Sequence, residues 1–263
     1  MTPAIELVGV SKRYRRHTDR RATSLKTYLV RDLWRRRTEP DEYTWALRDV
    51  NLVVDRGTTV AIVGRNGSGK STLLLLVGGM LAPTTGTVCV AGRSAALIEL
   101  AAGFHPELTG RENVLINGVL LGLSRAEIRR RFDDIVRFAE LEAFIDQPVR
   151  TYSTGMYMRL GFSVAVHVDP DVLLFDEVLA VGDLSFVQKC LDRMNAFKKA
   201  GKTIVVVTHD LNTAAQWADR AVWMDRGRVR MTGEPPVVVD AYMKEAADPP
   251  AGTEVAPGGP QVG

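Results

Sequence analysis

The segment GRNGSGKS, Gly64 to Ser71, constrains this chain more than any other stretch. It follows the apolar run Thr59–Val63 and leads directly into TLLLLVGGM, so a strand, a small-residue loop and a helix stand in register. A loop of that composition lets consecutive backbone N–H groups turn inward at a helix N-terminus, where the aligned peptide dipoles already favour an anion. Gly64, Arg65, Asn66, Gly67, Ser68, Gly69 and Thr72 are therefore expected to wrap nucleotide phosphates. Lys70 is expected to reach the terminal phosphates and the Ser71 hydroxyl to ligate Mg²⁺. An ordinary glycine-rich turn is the competing reading, and the flanking strand and helix speak against it.

The rest of the chain suits an α/β fold. Short β-branched runs at Ile5–Val8, Asn51–Val54, Thr59–Val63, Thr87–Val90, Val172–Phe175, Thr203–Val207 and Ala221–Met224 alternate with segments of helical period, which predicts a largely parallel sheet. Between the fourth and fifth runs, Ser124 and Glu127 form a capping box, and Ile128, Phe132, Ile135 and Ala139 fall on one helical face. We expect an inserted helical subdomain there, over about residues 104–168, within one domain spanning 1–243. The final ADPPAGTEVAPGGPQVG is rich in Pro and Gly, and residues 244–263 are expected to form a disordered tail. That tail is too short for a further β-sandwich, so no carbohydrate-binding module is expected. Cys89 and Cys190 lack metal-ligand spacing and are expected to be reduced thiols. The longest apolar stretch, Leu73–Ala82, is too short to cross a bilayer.

VLLFDE, Val172 to Glu177, reads as a buried strand ending in two carboxylates. Asp176 is expected to hold Mg²⁺ through water, and Glu177 to polarise the water that attacks the terminal phosphate. Between the phosphate loop and this strand lies TYSTGMYMRLGFSVAVHVDP. Its opening resembles the signature sequence of ATP-binding-cassette ATPases, usually written LSGGQ, with Thr154 at the middle glycine and Met156 at the final Gln. The resemblance implies a P-loop NTPase core with a parallel sheet, an antiparallel β portion and an inserted helical subdomain, working on ATP with Mg²⁺. Ser153, Thr154 and Gly155 would then present donors to a γ-phosphate from a helix N-terminus. His209 in VVVTHDL matches the family's switch histidine, and Asp183 in AVGD matches the D-loop aspartate at the dimer contact. Tyr14 in SKRY is expected to stack on adenine, because a flat ring covers a flat base, with Tyr43 and Trp45 as alternatives. The family's glutamine before the helical subdomain is missing from LIELAAGFHPELTGREN, and Glu99 is the nearest polar candidate for that metal contact.

A narrower likeness rests on ALIELAAGFHPELTGRENV, on YSTGMYMRLGFSVAVHVDPDVLLFDEVLAVGD and on the basic stretch before WALRDVNL. These strings are similar to the ATPase subunits that export lipid-linked polysaccharides: O antigens, teichoic acids, capsules and cell-wall galactans. The likeness implies a homodimer with two ATP at its interface, docked beneath two copies of a separate transmembrane permease at the cytoplasmic face of the membrane, with the lipid-linked glycan as cargo. Cassettes of DNA repair or translation are the alternative. The former separate loop and signature by a long coiled coil and the latter carry two cassettes per chain, so no nucleic acid partner is expected.

Charge narrows one further point. The chain holds 34 Lys+Arg against 31 Asp+Glu, yet Ser11–Arg37 alone contains 11 basic and 2 acidic residues, leaving a balance of −6 elsewhere. The positive charge is a local patch, not a uniformly basic surface. Read as a helix from a Ser24 cap within a basic insert at 15–44, it places Leu25, Tyr28, Leu29 and Leu33 on one face near Trp34, with Lys26, Arg31 and Arg35–Arg37 around them. That pattern suits anionic headgroups or the pyrophosphate of a lipid-linked cargo.

Overall fold

The computed structural model describes residues 2–15, 43–97, 103–176 and 183–247. Within them two sheets form. β1 (Ile5–Arg15), β2 (Tyr43–Val54) and β4 (Thr85–Val90) make an antiparallel sheet in the order β2-β1-β4. The larger sheet joins β3 (Thr59–Val63), β5 (Ser94–Ala96), β6 (Val172–Asp176), β7 (Thr203–Val207), β8 (Arg220–Asp225) and β9 (Arg228–Gly233) in the order β5-β6-β7-β3-β8-β9. It is parallel except for β9, which returns antiparallel from β8. The helices are α1 (Lys70–Val77), α2 (Gly110–Leu120), α3 (Arg125–Ala139), α4 (Thr154–Val166), α5 (Leu184–Lys199), α6 (Leu211–Trp217) and α7 (Pro235–Ala247).

The central strands β3, β6 and β7 read as unbroken apolar runs because both of their faces are covered. Alternation sends Ala61 and Val63 into a core with Phe162, Phe186 and Trp223 on one side of the sheet. Val60 and Ile62 point the other way, into a core shared with Leu73 and Leu74 of α1 and with the antiparallel sheet. A third core, built on Val114, Ile128, Ile135 and Leu160, lies among α2, α3 and α4. Capping boxes start two of these helices: Thr109 with Glu112 at α2, and Ser124 with Glu127 at α3.

Asn113 holds the approach to that helical region. Fully buried, it donates to the carbonyls of His105 (3.2 Å), Leu108 (3.1 Å) and Thr109 (2.9 Å), and its Oδ1 accepts from the His105 amide at 2.7 Å. It satisfies in one side chain the backbone groups of a loop that has no ladder of its own. Asn113→Ala should lower unfolding free energy by about 2–3 kcal/mol, the cost of leaving such groups buried without partners. Urea denaturation with an unchanged m-value is the measurement.

Several boundaries differ from the sequence reading. β1 runs on to Arg15 and β2 begins at Tyr43, so Arg15, Tyr43 and Thr44 are paired strand residues and not part of an insert. β5 and β9 were not expected at all. Lys244–Ala247 belong to α7 instead of a tail, since the helix opens on Pro235, where the missing N–H costs nothing, and buries Val238 and Val239. Residues 16–42 and 248–263, where the basic helix and the remaining tail were expected, lie outside the described residues. Both thiols are free: Cys89 is exposed, while burial pushes the Cys190 thiol up to about 12. No helix among the described residues is long and apolar enough to cross a membrane.

Candidate functional site

The carboxyl ends of β3, β6 and β7, neighbours in the sheet, open onto one cleft of about 330 Å³. Trp45, Gly67, Lys70, Ser71, Asp176 and His209 are among its walls. Crevices beyond the carboxyl ends of parallel strands are where α/β sheets bind ligands.

Backbone geometry forces the composition of the loop between β3 and α1. Gly64 and Gly69 have φ of 149° and 101°, and a Cβ on either would meet backbone: the Met224 carbonyl at Gly64, the Ala46 carbonyl at 2.5 Å at Gly69. Gly67, at φ 76°, faces open space. The loop therefore keeps room for a ligand on one side and none for side chains on the other. Behind it stands Gly227, whose amide donates to the Ser68 carbonyl at 2.9 Å and whose Cβ position would strike the Ala46 carbonyl at 2.6 Å. Sequence reasoning missed this buttress, although the DRG turn between β8 and β9 is a glycine signal of the usual kind.

Lys70 is 94% buried at the start of α1, and its Nζ donates to the carbonyls of Gly64 (2.7 Å) and Arg65 (3.0 Å). The ammonium is thus fixed against the start of the loop that it follows. The Ser68 hydroxyl is buried in the same loop with no hydrogen-bond partner among the described residues. The Ser71 hydroxyl donates to Asp176 Oδ2 at 3.3 Å, bringing together two residues 105 positions apart. A hydroxyl and a carboxylate are hard oxygen donors, the set a Mg²⁺ ion takes when phosphates and water complete its shell. His209 stands exposed at the cleft rim, two residues past β7.

Trp45 lines the cleft and Tyr14 is not among its walls. Tyr14 carries Lys12 Nζ over its ring at 5.6 Å, and the Arg13 guanidinium covers Tyr43 at 4.1 Å and Trp45 at 5.8 Å. Arg65, Asn66, Gly67 and Ser68 also border a second cavity, of about 210 Å³, closed by Trp223 and by Tyr242 of α7.

Ser153, Thr154 and Gly155 are held elsewhere. Ser153 is the N-cap of α4, accepting from the Met156 amide at 3.2 Å, and Thr154 and Gly155 open the helix. None of them lines the cleft. Asp183 caps α5: it accepts from the Phe186 amide at 3.0 Å and the Ser185 hydroxyl at 2.9 Å, and pairs with Arg159 at 3.0 Å. These partners, the Phe186 amide foremost, hold its carboxyl below the usual carboxylate range. Glu99 and Glu177 lie outside the described residues.

A loop, metal donors and histidine so arranged can bind a nucleoside triphosphate and bring an ionisable group to its terminal phosphate. The family model for ABC transporters matches residues 47–180, from β2 through the strand bearing Asp176. The chain is also 48% identical to the O-antigen export system ATP-binding protein RfbB of Klebsiella pneumoniae, over 77% of this chain and 82% of the relative. This chain belongs to the ABC transporter family. Its fold agrees: the dimeric post-hydrolysis state of an ATP-binding cassette bound to ADP and Pi superposes with a TM-score of 0.68 at 25% identity, covering 88% of this chain and 98% of that one. An ATP-binding subunit of an ABC transporter gives 0.70 at 26% identity, covering 92% and 94%. The cleft therefore lies within an ABC cassette. Over longer spans, this ABC cassette is 51% identical to RfbB of Myxococcus xanthus, an O-antigen export ATP-binding protein, across 98% of the chain but 62% of the relative's length. It is 44% identical to the teichoic acids export ATP-binding protein TagH of Lactococcus lactis, over 76% of the chain and 43% of that relative.

Proposed function

We propose that this chain hydrolyses ATP to drive export of a lipid-linked polysaccharide through a separate transmembrane permease, working as a homodimer at the cytoplasmic face of the membrane. The observation that carries the catalytic half is the split between two places: Lys70, Ser71, Asp176 and His209 border one cleft, while Ser153, Thr154 and Gly155 open a helix outside it. Two copies facing each other supply both halves to each nucleotide. In that arrangement Gly64–Thr72 cradles the phosphates, Ser71 and Asp176 hold Mg²⁺, and Asp183 lies at the contact between copies. Bound there, the cation neutralises charge on the terminal phosphate oxygens. Glu177 takes the proton of the attacking water and His209 orients the γ-phosphate. Trp45, which lines the cleft, is better situated than Tyr14 to carry adenine.

The names of the relatives support the cargo class, O antigens and teichoic acids being polymers made on lipid carriers. A surface feature supports a permease. Leu115, Ile116, Val119 and Leu120 form an exposed apolar stripe on α2, with Arg125 and Arg129 of α3 beside it, a surface that suits an amphipathic segment bearing a carboxylate. The basic stretch within 16–42 would meet anionic headgroups or the cargo's pyrophosphate.

Affinity purification of the full chain from membranes tests the proposal. A multi-span permease should come with it, and lipid-linked glycan should stimulate ATPase in the assembled complex. Recovery of ribosomes or DNA in place of a permease would overturn it.

A further inference from the structure

Arg159 lies in the second turn of α4, just beyond Ser153, with 17% of its side chain exposed. Its guanidinium reaches two other elements at once. Nη1 donates to Glu140 Oε2 at 2.9 Å, at the left-handed C-cap of α3, and Nη2 stands 3.0 Å from Asp183 Oδ2 at the N-cap of α5. The group also covers the Phe186 ring, 5.0 Å from its centroid, and Lys189 of α5 pairs with the second oxygen of Glu140. Asp183 meanwhile spends Oδ1 on the Phe186 amide and the Ser185 hydroxyl, so each of its oxygens has a separate task.

One half-buried guanidinium therefore braces the starts of α4 and α5. We infer that Arg159 is a positioning residue that fixes Ser153–Gly155 relative to Asp183, so that the two surfaces offered to a partner copy close as one unit. The planar fork is what the task requires: it serves two carboxylates in different directions while stacking on an aromatic ring, which a compact ammonium cannot do. Phe186 covers the guanidinium on one side, while the two carboxylates stay open to solvent. The inference rests on the two-copy reading proposed above.

The test is ATP-driven dimerisation of the full chain, measured by sedimentation in a Glu177→Gln background, with ATP binding and melting temperature followed in parallel. Arg159→Gln should weaken dimerisation about tenfold or more while leaving ATP affinity of the single chain unchanged. Combined with Asp183→Asn or with Glu140→Gln, the loss should fall short of the sum of the single losses, because in each case both changes remove the same pairing. Arg159→Lys should recover only part of the dimerisation, and it replaces Arg159→Gln in the cycle if that variant folds poorly. Additive losses for Arg159 and Asp183, or full recovery by lysine, would overturn the brace. Mixing Ser153→Arg chains with Lys70→Ala chains tests the two-copy reading by itself. If mixing restores activity and the cycle is additive, only the brace falls; if mixing fails, the two-copy reading falls.

Discussion

Lys70→Ala is expected to weaken ATP binding by roughly a hundredfold or more, the scale of losing two charge-assisted hydrogen bonds. The reason lies in how the ammonium is held. With its Nζ already fixed by the Gly64 and Arg65 carbonyls, it is organised before nucleotide arrives, and little side-chain entropy remains to be lost on binding. Alanine removes the charge and takes a donor from the buried Gly64 carbonyl, while the Arg65 carbonyl keeps the Ser68 amide at 3.2 Å. Glu177→Gln should do the reverse: it keeps the shape, removes the base, and should leave binding intact while lowering hydrolysis by about 10²-fold or more. Equilibrium binding of a fluorescent ATP analogue and steady-state phosphate release separate the two. Normal affinity in the lysine variant, or near-normal turnover in the glutamine variant, would remove those roles.

The second large effect is a recovery. Ser153→Arg chains and Lys70→Ala chains should each be nearly inactive alone, yet their mixture should regain activity, since a mixed dimer contains one site with an intact loop and an intact facing signature. Random pairing of equal amounts makes about half the dimers mixed, each with one of two sites competent, so recovery should approach about a quarter of the unmodified rate. Specific activity of the unmodified protein should also rise with concentration until dimers saturate. An absence of recovery from two folded variants would mean that the site is completed within one chain.

How much of this was legible in the sequence depends on what each element faces. β3 and β7 were delimited to the residue, because a strand buried on both faces is an apolar run with polar or glycine residues at its ends. The outer halves of β1 and β2 were missed. They carry Ser11, Lys12, Arg13, Arg48 and Asp49, and left-handed residues at Gly9 and Asp49 accompany register shifts that break the alternation. Their stability comes from contacts invisible in one dimension, such as Arg13 over Tyr43. β9 alternates at every position, but its inward side is only half-buried and carries just two large apolar residues, Val229 and Met231, and Asn113 looks in sequence like any surface asparagine. That the loop and Asp176 border one cleft was legible in the sequence, because each directly follows or ends an apolar strand of one parallel sheet. The choice among Tyr14, Tyr43 and Trp45 was not, since it depends on which side of a twisted ribbon meets the cleft.

The cleft is made from strand ends that meet only when distant parts of the chain have paired, as Ser71 and Asp176 do across 105 positions. Contacts of that span form late, because loop closure opposes them before burial rewards them. A chain with β3 in place but β6 and β7 still unpaired offers nucleotide half a site. ATP therefore discriminates between finished and unfinished molecules, and by mass action it contributes to the stability of the finished one alone: about 2.7 kcal/mol when present at a hundredfold excess over its dissociation constant. For this protein the fuel is also a folding ligand, and a cell depleted of ATP would hold a less stable subunit as well as an idle one.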